Sequence, residues 1–341
     1  MRKFPQRPKK SSLIGQGTWW TTGQSAVPDA HDNGMGIGSS QRVVAMQIKR
    51  ILCPTDLSEA STAAIEQSAA IAAYFDAEVI GLHALSPLGL AVSDVGFSNA
   101  QTAEITRSQD EAARRFSTAG RAAAKVLIDV GNPASVILER AGSLPADLIV
   151  IGTHGASGFQ HLVLGSVAEK VLRQAACPVL VVPPHARTHS RIPFTRLLCA
   201  VDFSEASLRA VRTSLSLVLE PGVCLTLLHA LEWPWEEPPP PAFLQLPPDQ
   251  AYALAEFRRY SEAAALTRLE SLVPDSFPGC QVKTRVENGR ACTGILAVAK
   301  EERSDLLVIG VRGRNPLDLA LFGSTVNQVV RCAPCPVLTV P

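Results

Sequence analysis

Two stretches of the chain have the composition of an anion cradle. In the first, the apolar run Leu148 to Ile151 ends in Gly152, then Gly155 and, after nine residues, Gly165 and Ser166 at the start of a helical pattern. In the second, Leu306 to Ile309 lead into Gly310, Gly313 and, again after nine residues, Gly323 and Ser324. A glycine at a strand end permits positive φ and brings bare amides close to a ligand. The third glycine and its serine open a helix whose free N–H groups and positive dipole end face the same space. The dipole contributes roughly 0.3–1 kcal/mol, so several amides and the Ser166 or Ser324 hydroxyl must act together. A lone G-x-x-G is most simply a turn. The full spacing G-x2-G-x9-G-S, kept twice while the residues inside it change, points to a phosphate site in each half.

Other side chains with chemical potential fall at matching places. Asp56 and Asp202 each follow a short apolar run, where they could face a ligand or cap the next helix. His83 and His229 lie in apolar, strand-like runs with no second histidine or carboxylate at ligand spacing, which favours packed strand residues over acids or metal ligands. Cys332 and Cys335 have C-x-x-C spacing, but the first-copy counterparts are Gln174 and Cys177, so the eight cysteines read as reduced, buried thiols. No lysine follows the glycines as in G-x4-G-K-[ST], and no paired carboxylates supply a base or a metal site.

These positions need two similar domains to hold them. A chain of 341 residues is long enough for two full cores, and 46% apolar with 18% charged residues is globular. A net charge of +1 gives no general attraction to nucleic acid or membrane. No apolar run reaches the length of a membrane span, and no signal-peptide core follows the basic start, so a cytoplasmic location is expected. Residues 1–46 lack any period and read as a disordered tail carrying Trp19 and Trp20.

From there strands and helices alternate. Ile51–Cys53, Glu78–Leu85, Val126–Val130, the run from Asp147 and Pro178–Val182 read as strands. Helices are expected from Ser58, which can cap, over Gln101–Ala124 and Ala134–Ala141, and from Ser166. Alternation of this kind means parallel strands with right-handed crossovers, hence a three-layer α/β/α domain. A linker over 186–192 joins domain 47–185 to domain 193–341, where Asp202 to Ser207 repeats Asp56 to Ser61 at an offset of 146. Around the glycines the offset is 158, and the proline-rich stretch Trp233 to Pro248 accounts for the gain as an extended surface segment.

The Pro54-Thr55-Asp56-Leu57-Ser58 strand end, the glycine spacing, and the Cys177-Pro178-Val179-Leu180 and Cys335-Pro336-Val337-Leu338 endings make residues 47–341 resemble a tandem universal stress protein. The glycine pattern resembles that of the family's ATP-binding branch. The resemblance implies two Rossmann-like domains of the adenine nucleotide alpha-hydrolase type, each with a five-stranded parallel sheet of order 3-2-1-4-5. A ligand would then lie where the order reverses, beyond the carboxyl ends of strands 1 and 4. It further implies that Asp56 and Asp202 contact adenosine, that Ala84 and Ala230 meet adenine, and that Pro54 and Ala200 line the crevice. Gly152, Gly155, Gly165, Ser166 and Val167 would cradle ribose and phosphates in one domain, and Gly310, Gly313, Gly323, Ser324 and Thr325 in the other. The second loop departs from the first, with Val311-Arg312 for Thr153-His154 and Asn315-Pro316 for Ser157-Gly158. Arg312 could bond a phosphate or simply be solvated.

The resulting expectation is an ATP-binding stress-response regulator, with Mg2+ arriving on the nucleotide and an unknown regulatory protein as listener. A slow ATPase or self-phosphorylating enzyme, and a non-binding structural pseudo-dimer, are the alternatives. The last strands, Val179–Val182 and Val337–Val340, are short and apolar, and are expected to pair the two domains within the chain, with a further homodimer open.

Overall fold

The computed structural model describes residues 46–85, 99–119, 125–153, 164–184, 192–218, 222–232, 248–273, 280–311 and 323–341. The first half runs β1 (Arg50–Pro54), a 3-10 turn (Glu59–Ser61), α1 (Thr62–Phe75), β2 (Glu78–Leu85), α2 (Asn99–Thr118), β3 (Lys125–Val130), α3 (Pro133–Ser143), β4 (Leu148–Gly152), α4 (Ser166–Gln174) and β5 (Val179–Val182). The second runs β6 (Arg196–Ala200), α5 (Glu205–Leu217), β7 (Val223–Leu231), α6 (Pro248–Glu270), β8 (Cys280–Asn288), α7 (Ala291–Glu301), β9 (Leu306–Gly310), α8 (Ser324–Cys332) and β10 (Val337–Val340).

All strands join one ten-stranded sheet, ordered β3-β2-β1-β4-β5-β10-β9-β6-β7-β8. Each half keeps the order 3-2-1-4-5 with parallel neighbours, and the halves meet where β10 runs antiparallel to β5. There Leu338 lies opposite Leu180, its own repeat equivalent, so a local twofold axis passes through that pair. Because the strands of the second half run the other way, the carboxyl ends of the two halves open at opposite edges of the sheet.

The central strands are apolar on both faces because helices cover both, while the edge strands β3 and β8 are only partly buried. Alternate residues divide the core in two: Ile51 and Cys53 join the α1, α2, α5 and α6 side, while Leu52 joins the α3, α4, α7 and α8 side. Both layers run without a break from one half into the other. The strand starts are locked by a repeated device. Asp147 Oδ2 accepts from the amides of Lys49 and Arg50 at 2.8 and 2.9 Å. Asp305 accepts from Thr195 and Arg196 amides at 2.9 Å each. Strand 4 is thereby held level with strand 1, which aligns their tips at the opposite end.

Some local expectations are corrected. Ser58 stands before the 3-10 turn without a side-chain cap, and its hydroxyl donates to Asp56 Oδ1 at 2.6 Å. The long helix expected over 101–124 is Asn99–Thr118. Met46, placed in the tail by sequence, donates its amide to Ser216 O at 3.2 Å and packs on the core. Residues 1–45, with Trp19 and Trp20, the linker positions 185–191 and the proline-rich positions 233–247 lie outside the described residues. Among the described residues, no helix is long and apolar enough to cross a membrane.

Burial pushes the thiols of Cys53 and Cys199 up from 9.0 to about 12, against small opposing hydrogen bonds from Ser68 and Ser214. Cys335 is likewise raised to about 12 and Cys177 to about 11, chiefly by burial. A thiol raised in the folded state stabilises fully below its unfolded pKa and loses that contribution as pH climbs toward the folded value. Between pH 8 and pH 10, Cys53 and Cys199 are therefore expected to withdraw roughly 1.4 kcal/mol of stability each. Urea denaturation of the wild type and of a Cys53→Ala/Cys199→Ala variant checks this, since the variant should show a shallower alkaline loss. The same burial leaves Cys335 unsuited to redox exchange with the exposed Cys332.

Candidate functional site

The tip of strand 1 is built alike in both halves. Asp56 Oδ1 accepts from the Ser58 amide at 3.0 Å and its hydroxyl at 2.6 Å. Asp202 Oδ1 accepts from the Ser204 amide at 2.9 Å and its hydroxyl at 2.5 Å. Each aspartate thus closes a tight turn on itself and does not cap the helix. That role falls to Ser204 in the second half, which accepts from the Ser207 amide at 3.2 Å. The residue after each aspartate, Leu57 or Phe203, has φ of 61° or 62°. Ordinary side chains occupy this left-handed region at a cost of about 1–3 kcal/mol, so its repetition marks a conformation the framework imposes.

The second helix of each half grips the same turn from outside. Arg115 of α2 donates to Ser58 O at 3.0 Å and pairs with Glu111 at 2.7 Å. Arg268 of α6 precedes the buried Leu269 as Arg115 precedes the buried Phe116. It lies 4.1 Å over the Phe203 ring, whose other neighbour is the His229 ring at 4.6 Å. Leucine at position 57 cannot stack, so the first half uses hydrogen bonds where the second uses a cation–π contact.

At the tip of strand 4 the glycines divide by purpose. Gly152 and Gly310 remain within β4 and β9. Contrary to the expected strand-end turn, positive φ among the described glycines occurs at Gly131, Gly222 and Gly289. A β-carbon on Gly310 would stand 2.6 Å from Ala206 C and 2.7 Å from Ser207 N, so this glycine lets α5 approach the strand. Gly323 differs. Its φ of −53° suits any residue, and among the described residues a β-carbon there would meet Val326 Cγ2 at 3.8 Å. Neither backbone nor packing among the described residues asks for glycine at the start of α8.

Gly165 and Gly323 stand at the N-caps of α4 and α8 without a side-chain cap, unlike α3, where Asn132 accepts from Ser135 N at 3.3 Å. Gly165 spends its own amide on Thr153 O at 2.9 Å, which closes the loop between β4 and α4. The amides that follow, at Ser166 and Val167, and at Ser324 and Thr325, therefore lie in helix starts with no side-chain cap among the described residues. Ser166 and Ser324 are exposed. Pro54 and Ala200 are buried at the ends of β1 and β6, and half-buried Ala84 and Ala230 stand next to last in β2 and β7. All these residues share the carboxyl edge of their half. Gly155 and Gly313, with His154, Arg312 and Pro316, lie outside the described residues. A hollow of about 190 Å³ lined by Glu59, Ala60, Ala63 and Pro184 lies on the α1 side of the same edge, below the roughly 300 Å³ at which ligand pockets begin.

The model of the universal stress protein family matches residues 47–183 and again 193–341. The chain belongs to the universal stress protein family. A universal stress protein of Methanocaldococcus jannaschii is 36% identical over 138 residues, covering 39% of this chain and 81% of the relative. One from Mycolicibacterium smegmatis is 27% identical over 305 residues, covering 85% of this chain and 96% of the relative. The crystal structure of a universal stress protein from Archaeoglobus fulgidus matches with a TM-score of 0.58 at 24% identity, covering 86% of this chain and 99% of that one, a likeness of fold.

For this universal stress protein, sequence reasoning found the repeated aspartates and helix starts but missed what fastens them. His83 Nδ1 lies 2.8 Å from Thr55 O, and His229 Nδ1 lies 2.6 Å from Val201 O. The signal available was their common place, 27 residues after each aspartate and directly before Ala84 and Ala230. Among the described residues, no group of three or more His, Cys, Asp or Glu side chains is placed to hold a metal.

Proposed function

We propose that this universal stress protein binds ATP in two crevices, one at each carboxyl edge of the sheet, and acts as a nucleotide-dependent regulator of the stress response. The observation that carries the reading is Gly323. A glycine that neither φ nor packing among the described residues requires opens a helix start without a side-chain cap, on the edge where Asp202 is held by a strained turn. A helix start whose N-cap is a glycine suits a phosphate chain, and a fixed carboxylate at the neighbouring strand tip suits a ribose or adenine donor. The same parts recur at Asp56 and Gly165. Strand order reverses between β1 and β4 and between β6 and β9, which is where ligands of open α/β sheets bind.

In this assignment Asp56, Pro54 and Ala84 face the adenosine part in the first half, and Asp202, Ala200 and Ala230 in the second. Ser166, Val167, Ser324 and Thr325 supply amides and hydroxyls to the phosphates. Gly155 and Gly313 belong to the same cradle by spacing. The protein's contribution is to bind and orient; the signal would pass to a partner protein through the occupied crevice, with the chain in the cytoplasm.

Native mass spectrometry of the purified full chain tests this. Two ATP per chain are expected, falling to one in Asp56→Ala and one in Asp202→Ala, with the remaining site's affinity unchanged because the crevices open at opposite edges. A wild-type chain that takes up no adenine nucleotide at millimolar concentration would reject the reading.

A further inference from the structure

His83 and His229 turn their rings from the second strand of each half back to the tip of the first, where Nδ1 meets the carbonyl oxygen of the residue before the aspartate. A carbonyl only accepts, so Nδ1 carries a proton and donates in both halves. The amide of that same residue is also fastened. Thr55 N donates to Leu82 O and Val201 N to Leu228 O, each at 2.8 Å. Both backbone groups ahead of the aspartate are therefore tied to consecutive residues of the neighbouring strand.

Beyond the aspartate comes the left-handed residue, leucine in one half and phenylalanine in the other, with φ alike to one degree. Two unrelated side chains in one unfavourable conformation mean that the residue does not choose it. The histidine tie is common to both halves, whereas Arg115 and Arg268 hold the turn by different contacts. In the first half Thr55 Oγ1 also accepts from the Leu57 amide at 3.1 Å, a bond that Val201 cannot make. The second half thus lacks that support and keeps the histidine.

We propose that His83 and His229 are positioning residues of the two crevices: each fixes the carbonyl ahead of Asp56 or Asp202 and so sets the direction from which that carboxylate meets the ligand. The inference rests on the nucleotide reading above. A merely structural hydrogen bond would be served by any polar side chain that fills the space. A positioning bond needs its donor at the place of Nδ1.

Two polar isosteres separate these cases in the full chain. Asn puts its amide nitrogen near Nδ1, and Gln puts its own near Nε2. In titration calorimetry with ATP, His83→Asn/His229→Asn should bind within about twofold of wild type. His83→Gln/His229→Gln should weaken binding by about tenfold, the scale of one misplaced hydrogen bond, with thermal unfolding of the two variants within a few degrees of each other. Equal affinities of the Asn and Gln variants, both unchanged or both lost, overturn the proposal. If Asp56→Ala/Asp202→Ala still abolishes binding in that case, the nucleotide reading survives alone. A wild type that binds no ATP removes both.

Discussion

Gly310→Ala is expected to destabilise the protein by about 2–3 kcal/mol, and to do so through the core, ahead of any effect on a ligand. The added carbon would stand 2.6 Å from Ala206 C, 2.7 Å from Ser207 N and 2.9 Å from Ala206 O. All three are backbone atoms, so no rotamer change relieves the contact and the first turn of α5 must move. That turn carries the Ser204 cap on Ser207 N and the Ser204 hydroxyl on Asp202 Oδ1. Loss of the Asp202 geometry would follow as a secondary effect. Gly323→Ala should behave in the opposite way. Among the described residues its new carbon meets Val326 Cγ2 at 3.8 Å, so its stability change should stay below about 1 kcal/mol, the ordinary difference between glycine and alanine at an N-cap. Binding at the second crevice should nevertheless fall by tenfold or more, about 1.4 kcal/mol, since the carbon enters the space assigned to phosphate. Urea denaturation and calorimetry on both variants check the pair. The reverse pattern, with Gly323→Ala unfolding early and Gly310→Ala stable but unable to bind, would exchange the roles of the two glycines.

That contrast shows what could be read in the residues and what could not. The spacing G-x2-G-x9-G-S located the tip of strand 4 and the start of the next helix in both halves, because a periodic apolar run and a helix start are local features. It did not reveal why each glycine is there. A glycine can serve a turn, a close approach or a ligand, and only the neighbour across the gap decides; for Gly310 that neighbour is α5, more than 100 residues earlier in the chain. The histidines were legible as strand residues through the apolar runs around them. Their bonds to Thr55 O and Val201 O were not, because the partner lies on an adjacent strand 28 residues away. Ser58 carried a capping signal, yet a 3-10 turn follows it where the same Ser-Glu-Ala-Ser residues at Ser204 open an α-helix with a cap, a difference the local sequence does not announce. Parallel strands within each half followed from alternation, and their order from likeness to a family. The pairing of the two halves through their last strands was legible in those short apolar runs, but its register was not, because two apolar tetrapeptides could slide on each other.

Leu180→Asp is the substitution expected to break that fusion. Leu180 is 2% exposed and lies opposite Leu338, which is 4% exposed, at the local twofold axis. The surroundings are apolar on every side: Ile48, Ile71, Phe75, Phe194 and Leu217 are among the residues lining a remaining space of about 20 Å³. That space admits about one water molecule, too little to hydrate a carboxylate. An unpaired buried charge costs several kcal/mol, about 4 or more here once lost leucine packing is included. Because both core layers run through the seam, the wild type should unfold in one transition. The variant should unfold in two, with the halves uncoupled at β5 and β10. Each would then expose an apolar edge, Val179–Val182 or Val337–Val340, so rising association with concentration should appear in light scattering. A conservative seam change gives the control: Thr339 donates to Val179 O at 3.1 Å where its repeat equivalent is Val181, and Thr339→Val should cost no more than about 1 kcal/mol. A Leu180→Asp protein that kept a single transition at the wild-type midpoint would mean that the halves hold together by contacts other than this pair of strands.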